Sequence, residues 1–112
     1  MASVVVGMLS VDAASFVAKH IASPEVLEVV VAIASAPEQT TIIQLVQTTR
    51  LPASIVRNAL RELERTKLAE TTSRGTVCLT FRNARERALL SEILDQYDKN
   101  PSTILRAVAR SG

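Results

Sequence analysis

Ser54, Arg57, Asn58, Arg61 and Arg65 recur at three- and four-residue intervals in a stretch, Pro52 to Lys67, that contains no glycine. On a helix this spacing gathers a hydroxyl, an amide and three guanidinium groups on one side. Val56, Ala59, Leu60 and Leu63 take the other side. Arginine offers a planar fork of donors that matches phosphate and guanine edges, and asparagine pairs in the same two-pronged way with adenine. Such a face suits recognition of a polyanion; it holds no nucleophile–base pair for making or breaking bonds. Glu62 and Glu64 lie where they can pair with neighbouring arginines.

The wider charge pattern agrees with that face. The chain of 112 residues carries a net charge of only +2, but residues 50–87 hold nine basic residues, eight of them arginine, against four acids. The rest of the chain is net negative, with four basic residues and seven acids. Asymmetry of this kind fits a polyanion-binding surface, and it also fits a merely solvated one.

Several chemistries are excluded by composition. One cysteine, Cys78, makes no internal disulfide, and His20 stands alone without the paired spacing of a zinc site. An enzyme based on metal or histidine has little to work with, so no catalytic residue, metal or cofactor is expected. Aromatic residues are 3% of the chain, too few for a base-stacking platform. The apolar N-terminus lacks the positive flank of a signal peptide, and the run Val26 to Ala36 is interrupted by Glu28 and far short of the ~20 residues of a membrane helix. A cytoplasmic protein is expected. Apolar residues, 47% of the total, are ample for one core built from Val, Leu, Ile and Ala.

The elements that must position the cationic face follow from pattern. Ser10 or Asp12 is placed to cap a helix running to about Ala22, with Val11, Ala14, Val17, Ala18 and Ile21 as its stripe. Ser23-Pro24-Glu25 opens a second helix, to about Ser35, with Leu27, Val30, Val31 and Ala34 on one side, and Ala36-Pro37 ends it. Thr40 or Thr41 caps a third segment, Ile42 to Thr48, whose β-branched residues leave strand as the rival reading. After the Pro52 helix, residues 68–81 predict a β-hairpin with Ser73-Arg74-Gly75 at its turn and Val77, Leu79 and Phe81 on one face. A helix from Asn83 to about Tyr97 carries Leu89, Leu90, Ile93, Leu94 and Tyr97, and Asn100-Pro101 starts a last one with Ile104, Leu105 and Val108. The fold class is mainly α with a small β-hairpin, α+β.

The frame Leu51-Pro52-x-Ser54-x-Val56-x-x-x-Leu60-x-x-Leu63-Glu64-x-x-x-Leu68, followed by Arg74-Gly75 and Leu79-Thr80, resembles the recognition helix and wing of MarR- and ArsR-like winged helix-turn-helix transcriptional regulators. The likeness covers about 60 residues once the Pro24 helix and the Ile42 segment are included. It implies a winged-helix core over residues 24–82 within a single domain, flanked by helices in 1–22 and 83–112, and sequence-specific binding of double-stranded DNA. Helix 52–66 would lie in the major groove, with Ser54, Arg57, Asn58 and Arg61 along it and Arg57 and Asn58 at base edges. Thr41, Arg50 and Arg65 fall to phosphate contacts. The resemblance further implies that Arg74, at the tip of wing 70–81, reaches the neighbouring minor groove or backbone. Lys67 departs from the pattern, since these families usually have glycine there, and the helix is expected to run on or end differently.

Val4, Val5, Val6, Met8 and Leu9 at one end, and the stripes Leu89 to Tyr97 and Ile104 to Val108 at the other, are more than a three-helix core easily buries. They point to a homodimer, or alternatively to helices folded back on the same core. The rival function is a winged helix that contacts protein, as a module or as a subunit of a larger assembly. No effector ligand is indicated. Cys78 reads as structural filler rather than a redox thiol, and Glu92, Asp95 and Asp98 as a solvated helix exterior. His20 closes the first helix, where a cation suits the C-terminal dipole, and its spacing supports neither a metal nor a pH role.

Overall fold

The computed structural model of the chain describes residues 10–36 and 39–111. Ser23 caps α2 (Pro24–Ser35) by accepting the Val26 N–H, with Pro24 in the first turn where its missing N–H is not needed. Ala36 is extended, as the residue before a proline favours. α2 is the central element: Val26, Leu27, Val29, Val30, Ala32 and Ile33 are all buried. Its buried surface is therefore wider than the one-sided stripe expected, with Val31 only half-buried and Ala34 exposed.

The two readings of the next segment divide it between them. Thr40–Thr41 is a short strand, β1, and Ile42–Thr49 is helix, α3. Thr41 makes the transition: its hydroxyl oxygen accepts the Gln44 N–H at 3.2 Å, and the Gln44 side chain accepts the Thr41 N–H at 3.1 Å. This capping box satisfies two donors at the helix start and offsets the poor helix propensity of Ile42 and Ile43. A turn through Arg50, Leu51 and Pro52 leads into α4 (Ala53–Arg65).

β2 (Ala69–Thr71) and β3 (Thr76–Leu79) form the hairpin, shorter than residues 68–81. At its turn the Gly75 N–H donates to the Thr72 carbonyl and the Thr72 N–H to the Thr76 carbonyl. Gly75 has φ +82, the left-handed conformation that three-residue hairpin loops assign to glycine. β3 is central in an antiparallel sheet of order β1-β3-β2, pairing Thr40 with Val77 on one side and Ala69 with Leu79 on the other. Val77 is fully buried, while Leu79 and Phe81 are half-buried on the same side.

α1 (Val11–His20), α5 (Ala84–Lys99) and α6 (Pro101–Ser111) pack together, and α6 also touches α2. Ser10 is the cap of α1, and the helix ends at His20. Its buried residues are Ala13, Phe16, Val17 and His20, with Ile21 just beyond. Val11, Ala14 and Ala18, expected in the core, face solvent. Phe16 decides this rotation, because burying one ring removes more apolar surface than burying two alanines. His20 is buried rather than displayed as a cation, and burial, then Lys19, lower its pKa while Glu86 opposes them. Glu92 is not merely solvated: it accepts from the Ser10 N–H and hydroxyl, each at 3.2 Å, and so ties α1 to α5. Asp95 pairs with Lys99 at 3.0 Å on the exterior. The Tyr97 hydroxyl donates to Glu28 at 2.8 Å, joining α5 to α2, and this hydrogen bond raises the Tyr97 pKa.

The C-terminal stripes are spent inside the one chain. Leu90, Ile93, Ile104 and Val108 are buried, and Leu89, Leu94 and Tyr97 pack against the core. Val11, 82% exposed, and Leu105, 39% exposed, are the larger apolar side chains left open on α1 and α6. Val4, Val5, Val6, Met8 and Leu9 lie outside the described residues. Among the described residues no helix is long and apolar enough to cross a membrane.

Candidate nucleic-acid interface

α4 is sharply two-sided. Val56, Ala59, Leu60 and Leu63 are buried, whereas Ser54, Arg57, Asn58, Arg61 and Arg65 are exposed. At 100° per residue, Ser54, Asn58, Arg61 and Arg65 form one stripe directly opposite the core, and Arg57 lies on its flank. The helix is anchored by α2 and α3 on its buried side, so its open side is held rigidly in place.

α4 ends on Lys67, at φ +66. The Leu68 N–H donates to the Leu63 carbonyl at 2.8 Å and the Lys67 N–H to the Glu64 carbonyl at 3.0 Å, the two bonds of a Schellman motif. Leu63 and Leu68 are both fully buried, which adds the apolar contact that accompanies such an ending. The helix therefore stops where a glycine would stop it, and lysine takes the left-handed conformation at a cost of about 1 kcal/mol. Arg50, the C-cap of α3, does the same at φ +62. Two long cations thus stand at turns where glycine is cheaper, one at each end of the α4 region.

The expected contacts differ in how free they are. Among the described residues no ion pair holds Arg50, Arg57, Arg61 or Arg74, and all four are exposed. Arg61 leans on its own face, donating to the Asn58 carbonyl oxygen at 3.4 Å. Arg65 is engaged by Glu62 at 2.8 Å, one turn back on the same helix. Both partners of that pair are largely in solvent, so its strength is under about 1 kcal/mol and an incoming phosphate can displace it. Thr41 is half-buried with its oxygen committed to the cap of α3, leaving the hydroxyl hydrogen and the start of that helix to face an anion. Arg74 sits at the hairpin tip, its N–H held by the Thr72 hydroxyl at 3.2 Å, with its side chain directed to no protein partner.

Three features escape sequence reading. Glu25 and Glu62 line a small cleft of about 180 Å³ with Ile55 and Asn58, which gives one flank of α4 an acidic border. That border requires knowing that the start of α2 lies beside α4. Ile43 is 71% exposed on α3, although as an isoleucine in an apolar run it reads as core. Arg87 lies over the Phe81 ring at 5.1 Å, so this arginine of the basic segment serves packing. Arg85 is likewise occupied, by Asp12 of α1. The cationic segment is thereby split, with Arg50, Arg57, Arg61 and Arg74 open and Arg65, Arg85 and Arg87 engaged. The Cys78 thiol is half-buried and points toward the Glu70 carbonyl at 3.9 Å. Comparison with protein-family models, with curated proteins and with solved structures finds no match to this chain.

Proposed function

We propose that the chain is a small winged-helix protein that binds double-stranded DNA and acts as a dimeric transcriptional regulator. One observation carries the reading: the Ser54, Asn58, Arg61 and Arg65 stripe of α4, with Arg57 beside it, lies open to solvent on a helix whose other side is fully buried. The order α2, β1, α3, α4, β2, β3 and the strand order β1-β3-β2 agree with a winged helix, in which a strand before the helix pair joins the hairpin that follows it. In that arrangement residues 52–66 enter the major groove, Ser54, Arg57, Asn58 and Arg61 meet it, and Arg50, Arg65 and the start of α3 at Thr41 meet phosphates. Arg74 reaches the next backbone or minor groove from the hairpin tip. A single copy offers few phosphate contacts, so discrimination calls for two copies on a two-fold site. Val11 on α1 and Leu105 on α6 are apolar side chains open to such a partner.

The second reading, a winged helix that contacts protein, draws on Ile43, which stands 71% exposed on α3 beside the same surface. Titrating duplex DNA at several salt concentrations separates the two. DNA binding predicts affinity that falls steeply with salt, and Arg57→Ala with Arg61→Ala together flatten the log–log slope by about two. Thermal unfolding of that double variant should match the parent within about 0.5 kcal/mol. If neither random nor genomic duplex is bound at low salt, the protein-contact reading takes over.

A further inference from the structure

We propose that His20 makes the seam between α1 and α5 acid-labile, so that α1 is a strap held on the molecule at neutral pH and released in mild acid. His20 is the single histidine of the chain and the last residue of α1. Its side chain is 3% exposed, its ring lies 4.5 Å from that of Phe16, and neither Nδ1 nor Nε2 has a hydrogen-bond partner. A neutral imidazole leaves one N–H and one lone pair unsatisfied there. A protonated one leaves two N–H groups unsatisfied and adds a buried charge.

Nothing around the ring compensates that charge. The charged groups that bear on it are Lys19 from α1, Arg82 just before α5, and Glu86 in the first turn of α5. Two are cations, and the Glu86 carboxylate is already engaged by the Arg82 N–H at 2.8 Å. α6, the other helix packed on α1, turns the apolar Ile104 and Val108 inward. At the opposite end of α1 the ties to α5 are polar and exposed: Ser10 to Glu92, and Asp12 to Arg85. Attachment of the C-terminal half of α1 therefore rests on keeping Phe16, Val17 and a neutral His20 buried.

The direction of the effect follows from linkage. With the ring buried its pKa lies below the ordinary value of about 6.5, so the released helix takes up a proton more readily than the docked one. Attachment is complete above about pH 6.5 and weakens as pH falls, by roughly tenfold per unit until the docked ring itself titrates. This inference stands on the α1–α5 packing and is independent of what α4 binds.

The test is amide hydrogen exchange of the full chain at pH 7.5, 6.5 and 5.5, corrected for intrinsic rates, on the parent and on His20→Phe. The expected result is that opening of α1 rises about tenfold between pH 7.5 and 5.5 in the parent alone. Protection of α2 to α4 should stay constant over that range in both proteins. Equal pH dependence of α1 in the two proteins, or its loss together with α2 in both, overturns the proposal. Should His20→Phe fail to fold, the ring titration of parent His20 followed by NMR decides: a midpoint below 6 supports the proposal, and one at 6.5 or above overturns it.

Discussion

α4 and α1 each bury one side and open the other, yet they are built from opposite materials. The open side of α4 is Ser54, Asn58, Arg61 and Arg65; that of α1 is Val11, Ala14, Ser15 and Ala18. In α4 the polarity gradient across the helix is so steep that any other rotation would bury a guanidinium, at a cost of several kcal/mol. In α1 every rotation buries something tolerable, and the choice falls to the residue with the most to hide. The lesson is that a helix rich in Ala and Ser takes its orientation from its neighbours, whereas one divided between Leu and Arg carries its orientation within it.

That comparison can be broken at its strongest points first. Phe16→Ala should destabilise the chain by about 3–5 kcal/mol, measured by denaturant unfolding, because Phe16 sets the rotation of α1. Leu63→Ala on the buried side of α4 should lose about 2–5 kcal/mol in the same assay. A loss at Phe16 as small as a surface substitution would mean that α1 is oriented by something other than its ring. A gain of about 1 kcal/mol is expected from Lys67→Gly, since the ending of α4 already has the left-handed backbone that glycine adopts freely. Val11→Ser should shift the unfolding free energy by less than about 0.5 kcal/mol at concentrations where the chain is monomeric. A concentration-dependent loss for that variant would instead place Val11 in an interface between copies.

The candidate surface was legible because it depends on one helix and its own spacing. Arg57, Arg61 and Asn58 needed only a period of 3.6 residues to be placed together on the open side. Thr41 was placed correctly as a cap, but its hydroxyl oxygen proved to serve the backbone of α3. Other features depended on partners distant in the chain. Glu92 binds Ser10, and Arg85 binds Asp12, across more than seventy residues in each case. No local pattern signals such pairs, and so an apparently solvated acid and an apparently free cation were both misplaced. The helix ending at Lys67 was obscured for a different reason. The backbone bonds and the Leu63–Leu68 contact outweigh the modest cost of a left-handed lysine, and residue identity alone reports only the cost.

By itself, then, the amino-acid sequence determined where helices start, where the hairpin turns and which side of α4 meets water, because caps, proline, glycine and charge act over one or two turns. Tertiary structure alone decided which side of α1 is hidden, that His20 is neutral and without a hydrogen-bond partner, and which arginines remain free. Those outcomes depend on desolvation and on partners brought from far along the chain, and both exist only once the helices have packed.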